Sequence, residues 1–408
     1  MEQMIQGTEK AATTTQTTAH KKTQATATKE TTASSKMIFP GVPTALTLQL
    51  DEVIRFHADV DNLNDNNHLV SYEQLSGGLI NATWHCATST DADSGAGGAE
   101  MRNEKHYLVQ RLSSSTPAET IQDYTVLFHE LNDRGIRIPR QLRVQDSQVK
   151  RRRAKNLRHE LSSDLPFINC LDQVFRVFEY VDNAPPRKDV DATWRSAGFL
   201  LGRVHNALSK IDYEPIAHIP GFHDARGYKD RLERLATKYT AKGNHVRPEV
   251  EYIRSGLADA IYFQDDPQQL IHGDPKLQNM LFDPNDGAAA TMLVDWDTCM
   301  RAPISIDIGD ALRSICKTDD HKYDVRRERR FLEGYATGNP HFDADDKVRT
   351  RKAASGQIMG AAARYLIDFF EGNYFSYPPT VDAAAENLLR ARKGIQYHLA
   401  FKRATDNS

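Results

Sequence analysis

The hydrophobic pattern of the chain changes its period near residue 183, and few folds accommodate such a change. Before that point the chain contains four short strand-like segments, at residues 68–75, 79–86, 106–112 and 174–181. From Val190 onward, apolar residues recur at the i, i+3, i+4 spacing of a buried helix face. The pattern predicts a small mixed lobe followed by a large helical lobe.

Two helices and one extended segment complete the first lobe. Residues 46–60 carry apolar side chains at helical spacing, and Thr116 before Pro117 starts a helix that ends near Asn132. An extended segment is expected at residues 141–149. In the second lobe, a hairpin of residues 280–282 and 291–294 turns at 283–287, among helices expected at residues 228–242, 250–263, 308–315, 324–335, 344–370 and 381–401.

The composition fits two lobes and a tail. The chain has 408 residues, of which 39% are hydrophobic and 26% charged, so it exceeds one ordinary core and has enough apolar content for two. It begins with a low-complexity run of Thr, Ala, Lys and Gln, without a hydrophobic segment of signal-peptide length. We therefore expect a disordered Thr/Ala-rich tail at residues 1–40, an N-lobe at 41–183 and a C-lobe at 184–408.

Charge and cysteine content argue against several functional classes. The net charge of −3, from 52 basic and 55 acidic residues, gives no field that favours nucleic acid or an anionic membrane. No apolar run approaches the about 20 residues that span a bilayer. The four cysteines form no CxxC pair, which argues against a disulfide framework and a zinc site. We expect a cytoplasmic protein whose partners are neither nucleic acids nor membranes.

One loop contains the residue types that phosphoryl transfer needs. It reads His-Gly-Asp-Pro-Lys-Leu-Gln-Asn at residues 272–279. Pro275 biases Asp274 toward an extended backbone, which leaves the carboxylate free to act as a base. Lys276 lies two positions further on, so in an extended loop it points to the same side and is placed to steady a phosphate.

The oxygen ligands of a metal ion follow closely. Asn279 offers a carbonyl oxygen, Asp295 offers a carboxylate after an apolar strand, and Asp297 is a candidate for a second ligand. Mg²⁺ takes few protein oxygens, because phosphates and water complete its octahedron. His-Gly-Asp alone is common turn chemistry, but the full string with the following Asp-Trp-Asp is specific. These residues predict ATP- and Mg²⁺-dependent transfer of a phosphoryl group.

The same segment carries a family resemblance. Residues 270–314 contain LIHGDPKLQNMLFD, MLVDWDT and IDIGDALRS, and resemble the aminoglycoside phosphotransferase and choline kinase superfamily. Within it, the chain is most similar to sugar kinases of the N-acetylhexosamine 1-kinase type, and the similarity runs from about residue 66 to the C-terminus. Four stretches support that narrower similarity: Gly77–Trp84, Tyr107–Arg111, Ile219–His223 and Arg364–Phe375.

The resemblance implies an α+β, protein-kinase-like bilobal fold with a small antiparallel-sheet N-lobe and a larger helical C-lobe. It implies Asp274 as the base and Asn279 and Asp295 as Mg²⁺ ligands. It also implies ATP-binding residues in the N-lobe: Gly77 and Gly78 over the phosphates, Arg111 where kinases place a phosphate-binding Lys, Asp123 or else Glu119 as its acidic partner, and Glu179 to Val181 at the adenine. For the acceptor it implies Lys276, Arg364, Tyr374 and His223.

Each acceptor residue also has a structural alternative. His223 is equally suited to cap a helix, Tyr374 to fill a core, and Arg364 to pair with Asp368 one turn later. His205, on the apolar face of its helix, is expected to be structural. Two acids, Asp307 and Asp310, are expected to brace the loop below the metal site.

Some residues depart from the sugar kinases. Those kinases usually have Asn where this chain has Gly273, Leu where it has Trp296, and Pro-Gly at residues 301–302. The acceptor pocket is therefore expected to differ. The expected acceptor is a sugar hydroxyl, at the anomeric position of an N-acetylhexosamine, and the alternatives are choline, homoserine and aminoglycoside-like compounds. A protein kinase is disfavoured, since Asp297 replaces the Gly of Asp-Phe-Gly. An inactive binding module, suggested by the basic run at 150–153, is disfavoured by the intact acidic residues.

Overall fold

The structure is a computed structural model that describes most of the chain beyond residue 66. The chain divides into two units, residues 1–37, of which only Met37 is described, and residues 38–408. Gly77 and Gly78 lie outside the described residues, as do nearly all of the expected tail and the basic run at 150–153. The described residues are 37–38, 46, 49–51, 53–54, 67–75, 81–90, 104–113, 116–117, 119–143, 168–170, 173–263, 265–342 and 347–406.

The N-lobe is built on one sheet with the strand order β1-β2-β3-β4-β6-β5, in which β2 to β6 pair antiparallel. The predicted strands at residues 68–75, 79–86, 106–112 and 174–181 correspond to β2, β3, β4 and β6. The strands are β1 (Met37–Ile38), β2 (Asn67–Gln74), β3 (Ala82–Thr90), β4 (Glu104–Arg111), β5 (Ile168–Cys170) and β6 (Gln173–Glu179).

The two faces of this sheet carry different residues, because directly opposed residues share a face. One face, which we call the outer face, packs Trp84, Val109 and Phe175 against Leu50 and Val53 of the N-terminal helical residues. The other face, which we call the cleft face, carries Thr83, Gln110, Arg176 and Phe178. The outer face is therefore covered by the N-terminal helical residues.

Helix α1 (Thr120–Asp133) covers the cleft face. Its buried residues include Ile121, Tyr124, Leu127 and Leu131, which share one face at three- and four-residue spacing. The Tyr124 ring meets Phe178 edge-on, with centroids 5.1 Å apart. The helix was expected to end near Asn132 and ends one residue later.

The extended segment expected at residues 141–149 is described only at residues 141–143, which form no continuous strand. Gln141 makes only an isolated bridge to Phe178, and residues 144–149 lie outside the described chain. The edge strand is instead β5, whose three residues, Ile168–Cys170, are too few to show a period in the sequence.

The C-lobe begins after β6 and is helical. Its first helix, α2 (Asp191–Leu208), packs along α8 (Val325–Gly338). The helices expected in this lobe are present, two of them divided into shorter pieces. The remaining helices are α3 (Ala225–Lys238), α4 (Thr240–His245), α5 (Arg247–Gly256), α6 (Ala258–Ile261), α7 (Ile304–Ile315), α9 (Lys347–Glu371) and α10 (Ala383–Asp406).

Two small sheets at the front of the C-lobe bring the predicted site together. The predicted hairpin is β8 (Met280–Phe282) with β9 (Ala290–Leu293). The sequence did not predict the second pair, β7 (Gln268–Ile271) with β10 (Met300–Pro303), in which Ile271 faces Met300. Residues 272–279 and 295–299 are thus held side by side. Within the described part of the chain, no helix has the length and apolarity needed to cross a membrane.

Candidate active site

Asp307 fixes the start of the loop that contains Asp274. Its Oδ2 accepts hydrogen bonds from the backbone nitrogen of His272, at 2.7 Å, and from Nε2 of His205, at 2.9 Å. Its Oδ1 accepts from the nitrogen of Gly273 at 2.8 Å. His205 is held on its other side, where Nδ1 lies 2.6 Å from the hydroxyl of Tyr335. The structural roles expected for Asp307 and His205 are confirmed.

Gly273 gives the loop its turn. Its φ of +87° lies in the left-handed region, and a Cβ at this position would stand 2.2 Å from the carbonyl oxygen of Thr298. The Asn that sugar kinases usually have here would therefore need a different loop path. Thr298 also donates from its hydroxyl to the carbonyl of His272 at 2.9 Å, so the two strand ends are joined by side chain as well as backbone.

Asp274 follows the glycine with its carboxylate partly open to solvent, its side chain being 18% exposed. Lys276 Nζ donates to Asp274 Oδ2, as the alternation of an extended loop predicted. Burial alone would raise the pKa of Asp274, but Lys276, with Arg313 and Arg364 nearby, outweighs burial and lowers it. The side chain is therefore an ionised carboxylate, as a proton acceptor must be.

Asn279 and Asp295 lie at the ends of two 3₁₀ turns and face the same region. Nδ2 of Asn279 donates to the Asp274 carbonyl oxygen at 2.8 Å, which leaves Oδ1 available. Among the described residues, none donates a hydrogen bond to the Asp295 carboxylate, which is solvent-accessible at the base of the cleft. Desolvation by the surrounding protein, and then the charge of Asp297, raise the pKa of Asp295 to about 6.

This donor set fits Mg²⁺. No cluster of three or more His, Cys, Asp or Glu side chains suited to a metal occurs in the described part of the chain. One amide oxygen and one carboxylate without a protein partner suffice for an ion that shares its octahedron with phosphates and water. An Asp with a raised pKa is also a carboxylate that gains from a cation. The assignment of Asn279 and Asp295 as ligands stays a prediction.

Asp297, the candidate for a second ligand, is already engaged. Nη2 of Arg176 donates to both of its carboxylate oxygens at 2.7 Å, and Nδ2 of Asn81 donates to Oδ2 at 3.0 Å. A metal ion at Asp297 would have to replace these buried contacts. The contacts instead join Asp297 to the N-lobe sheet.

Arg111 does not reach the cleft. It pairs across the sheet with Ala82 and Phe175 and so lies on the outer face. Its guanidinium stands 5.6 Å from the centroid of the Trp84 ring, and Nη1 is 3.4 Å from Oε1 of Gln173. The prediction that Arg111 binds phosphate in the manner of a kinase Lys conflicts with this position, because neighbouring strand residues point to opposite faces.

Asp123, the expected partner of Arg111, bonds elsewhere. Its Oδ1 accepts from the hydroxyl of Tyr213 at 2.6 Å and from the nitrogen of Ile216 at 2.9 Å, and its Oδ2 accepts from the nitrogen of Ala217 at 2.8 Å. The predicted pair is therefore wrong, and Asp123 joins α1 to a C-lobe segment. The second choice, Glu119, is exposed at the start of α1 and makes no capping bond with its side chain.

Glu179 and Val181 lie at the connection between the lobes, where the sequence placed them. Glu179 ends β6; its backbone nitrogen donates to the carbonyl of Arg140 and its Oε1 accepts from the Arg140 nitrogen, both at 3.0 Å. Val181 follows within the connection, and its carbonyl accepts from Nδ2 of Asn183 at 3.3 Å. Adenine binding by Glu179 and Val181 stays a prediction.

A pocket in the C-lobe brings together the two distant stretches 219–223 and 364–375. Phe222, Tyr228, Arg364 and Tyr374 are among its lining residues. The Arg364 guanidinium lies 5.1 Å from the centroid of the Phe222 ring and makes no hydrogen bond or ion pair with any residue that the structure describes. Arg364 is partly buried, and a partly desolvated cation without a hydrogen-bond or ion-pair partner is a binding group for an electronegative ligand.

The structural alternative for Arg364 is wrong, because Asp368 has other partners. The Asp368 carboxylate accepts from the backbone nitrogens of Asn373 and Tyr374, at 2.9 and 2.8 Å, and from Nδ2 of Asn387 at 2.8 Å. It therefore shapes the segment that carries Tyr374. Arg364 is left free for the pocket.

His223 is less free than predicted. Its Nε2 donates to the carbonyl oxygen of Gly273 at 2.6 Å, and its backbone nitrogen donates to the Tyr228 hydroxyl at 2.9 Å. Burial and the charge of Arg364 lower the pKa of His223, so the ring is neutral. Only Nδ1 of His223 remains to contact a phosphoryl acceptor. The helix-capping role that was the structural alternative for His223 is filled by Asp224, which caps α3. The acceptor-binding roles of Lys276, Arg364, Tyr374 and His223 stay predictions.

The comparisons with known proteins place this geometry in a family. The model of the phosphotransferase enzyme family matches residues 71–341, which is more than half of the chain. The chain belongs to the phosphotransferase enzyme family. The coarser family resemblance drawn from its sequence is confirmed.

The relatives and structural neighbours of this phosphotransferase are distant. It is 24% identical over 202 residues to a homoserine kinase of Rhodopseudomonas palustris, covering 47% of the chain and 55% of the relative, so it spans about half the length of that relative. It is 19% identical over 360 residues to a homoserine kinase of Bradyrhizobium diazoefficiens, covering 86% of the chain and 93% of the relative.

Two solved structures share the fold. One is spectinomycin phosphotransferase in complex with ADP and spectinomycin, at 13% identity and a TM-score of 0.51, covering 87% of this chain and 98% of that one. The other is amicoumacin kinase with AMP-PNP and Ca²⁺, at 12% identity and a TM-score of 0.50, covering 86% and 93%. The protein-kinase-like α+β fold predicted from the sequence is confirmed.

The candidate site includes residues that the sequence did not single out. Arg176, Asn81 and Tyr228 make contacts at or beside the predicted groups. The sequence did contain a sign that Arg176 is functional, because it is a charged residue flanked by apolar residues on an alternating strand. The sequence pattern did not show which alternate set of residues on that strand faces the cleft.

Proposed function

We propose that this phosphotransferase moves the γ-phosphoryl group of ATP, with Mg²⁺, to a sugar hydroxyl, the anomeric hydroxyl of an N-acetylhexosamine. The observation that carries the proposal is the ionised Asp274, paired with Lys276, beside a pocket that contains the unpartnered cation of Arg364. The fold neighbours that were crystallised with ADP or AMP-PNP support ATP as the donor.

Each site residue then has a role that its contacts allow. Asp274 orients the acceptor hydroxyl and takes its proton, since its carboxylate is ionised and reachable. Asn279 and Asp295 would hold Mg²⁺, which when bound neutralises charge on the phosphates. Lys276, whose pKa is raised by its acidic neighbours against the effect of burial, remains charged beside the transferring group.

The preference for a sugar rests on the pocket. The two stretches that carry the sugar kinase resemblance, 219–223 and 364–375, meet there. Aromatic side chains of Phe222, Tyr228 and Tyr374 line the pocket together with Arg364, whereas the second lining arginine, Arg231, is paired with Glu371. Such pockets bind rings through apolar faces and a few polar contacts.

Homoserine is a second candidate acceptor, because the matched relatives are named homoserine kinases. The free guanidinium of Arg364 is the residue-level feature that favours it. An arginine can bind a carboxylate through two parallel hydrogen bonds, and homoserine carries one whereas a neutral sugar does not.

An acceptor panel separates the two candidates. ATP consumption is measured with Mg²⁺ and GlcNAc, GalNAc, glucose, choline, homoserine or an aminoglycoside, with phosphorus NMR to identify the phosphorylated oxygen. We expect turnover with an N-acetylhexosamine and a 1-phosphate product. Turnover with homoserine alone would replace the sugar assignment, and no turnover with any acceptor would contradict the proposed function.

Two variants assign roles within the same assay. Asp274→Asn keeps the shape but removes the proton acceptor, so kcat should fall by about 10²–10⁴-fold while ADP binding stays unchanged. Arg364→Met should raise KM for the acceptor about tenfold or more and leave KM for ATP unchanged, because it removes one charged contact. An Arg364→Met enzyme with wild-type KM for its acceptor would remove Arg364 from the binding site.

A further inference from the structure

The cleft face of the N-lobe sheet has a cation, but it is on β6 and not on β4. At the cleft-facing position next to Arg111 stands Gln110, which is uncharged and opposes Arg176 on β6. Nε of Arg176 donates to Oε1 of Gln110 at 2.8 Å. Arg176 is only 2% exposed, so its charge acts inside the protein, where screening by water is weak.

Arg176 is committed to the loop that carries the predicted metal ligand. Its Nη2 contacts both oxygens of Asp297 at 2.7 Å, and the two side chains are 2% and 7% exposed. Its Nη1 is buried without a hydrogen-bond partner in the described chain. A buried guanidinium and carboxylate in contact form a directional link, because each leaves an uncompensated charge if the other is removed.

That link holds the turn that follows Asp295. Asp295 precedes the 3₁₀ turn Trp296–Thr298 and has a left-handed backbone, with φ of 68° and ψ of 60°. On the C-lobe side, Nε1 of Trp296 donates to the carbonyl of Leu293 at 2.9 Å. On the N-lobe side the turn is held through Asp297. The turn that follows Asp295 is therefore held by contacts from both lobes.

Asn81 extends the same link across the N-lobe. Its Nδ2 donates to Asp297 at 3.0 Å, and its Oδ1 accepts from the nitrogen of Ser113 at 2.9 Å and from the hydroxyl of Thr116 at 3.0 Å. Asp297 is thus connected to the segment between β4 and α1 as well as to β6.

We propose that Arg176 is a positioning residue for the Mg²⁺–nucleotide complex: through its pair with Asp297 it sets Asp295 in place for the metal ion. The sequence predicted an arginine and an acid at the phosphates in Arg111 and Asp123; the buried pair that joins the N-lobe sheet to the loop of Asp295 is instead Arg176 with Asp297. The inference rests on the proposed ATP- and Mg²⁺-dependent function but not on the identity of the acceptor.

Calorimetric titration of ADP at a series of MgCl₂ concentrations, without an acceptor, tests the inference directly. Arg176→Met should raise the Mg²⁺ concentration for half-maximal enhancement of ADP binding by about 10–100-fold, the usual effect of losing a residue that orients a metal ligand. Metal-free ADP binding should not change. Asp297→Asn should have the same effect, and the double variant should be no worse than either single one, since both remove one link.

Arg111→Met is the matched control, because it removes an arginine from the outer face of the neighbouring strand and should leave Mg²⁺-dependent binding at its wild-type value. Arg176→Lys, which keeps the charge, should recover part of the loss and covers the case in which Arg176→Met does not fold. Wild-type Mg²⁺ dependence in Arg176→Lys and Asp297→Asn, or a loss in Arg111→Met, would overturn the inference. Wild-type protein that does not bind ADP with Mg²⁺ would instead contradict the proposed function.

Discussion

At the scale of single residues, Gly273 links backbone geometry to chemistry most directly. It lies between His272 and Asp274, and both of its neighbours depend on its left-handed φ. The space where a Cβ would go is filled by the Thr298 carbonyl. Any side chain at residue 273 must displace the backbone that presents the proposed base.

Gly273→Ala should therefore reduce both stability and turnover. An alanine in the left-handed region costs about 1–2 kcal/mol, and the contact with Thr298 adds to that cost. A shift of about 1 Å in the Asp274 carboxylate is enough to lower kcat by about 10²-fold. Urea unfolding and steady-state kinetics measure the two effects.

Gly135→Ala is the control for Gly273→Ala. Gly135 has a φ of +73°, but a Cβ there would meet only Nη2 of Arg203, at 3.8 Å. This variant should lose about 1 kcal/mol and keep its kcat. Equal kinetic losses in both variants would show that strain alone, and not the displaced loop, limits turnover.

At the scale of elements, the sequence predicted which segments are strands and helices but not always their orientation. The strand β4 was placed correctly, yet Arg111 was assigned to the cleft. The pattern did not decide between Gln110 and Arg111, because both faces of the sheet are buried and the apolar residues do not follow one parity. The closeness of Asp274 and Asn279 was easier to predict, since both lie in one short loop, whereas Asp295 follows β9 and is brought beside that loop by the pairing of β8 with β9.

Helix α10 contributes a buried histidine on which stability should depend. His398 is 1% exposed; its Nδ1 lies 3.0 Å from the Tyr252 hydroxyl, and its Nε2 lies 2.8 Å from the hydroxyl of Ser355, which in turn donates to Asp259. These contacts suit a neutral ring, which donates to Ser355 and accepts from Tyr252. Burial, with a contribution from Lys402, lowers the pKa of His398 to about 4.

The free energy of unfolding should therefore fall as the pH is lowered. Between about pH 6.5 and pH 4 the unfolded chain binds a proton at His398 that the folded protein excludes, so this contribution is complete above about pH 6.5 and is lost toward pH 4. From about pH 7 to about pH 5 the loss should be about 2 kcal/mol. Urea unfolding of His398→Gln should show a shallower pH dependence by that amount. The exposed His129→Gln should keep the wild-type slope, and an unchanged slope in His398→Gln would contradict the assignment.

At the scale of the whole molecule, the two lobes are joined by polar contacts between residues far apart in sequence. Arg176 and Asp297 are 121 residues apart, and Asp123 and Ala217 are 94 residues apart. Neither contact was predictable from periodicity or local spacing, because both depend on how the lobes pack. Both involve acids that the sequence had assigned to the nucleotide site or to the metal.

Asp123 provides the test at this scale. Its carboxylate is 4% exposed and receives three hydrogen bonds from residues 213–217 of the C-lobe. Asp123→Ala leaves these donors without an acceptor, which should lower the free energy of unfolding by about 3 kcal/mol. Hydrogen exchange should show the amides of Ile216 and Ala217 losing protection before the rest of the C-lobe.

Glu119→Ala and Arg111→Met are the control variants for Asp123→Ala. Glu119 lies one turn earlier on the exposed start of α1, so its loss should change neither stability nor exchange at residues 216–217. Arg111→Met should likewise leave those amides protected, because Asp123 does not contact Arg111. If Arg111→Met and Asp123→Ala instead gave the same loss of stability and were no worse in combination, the two side chains would act as a pair in solution, and α1 would be joined to the sheet and not to the C-lobe.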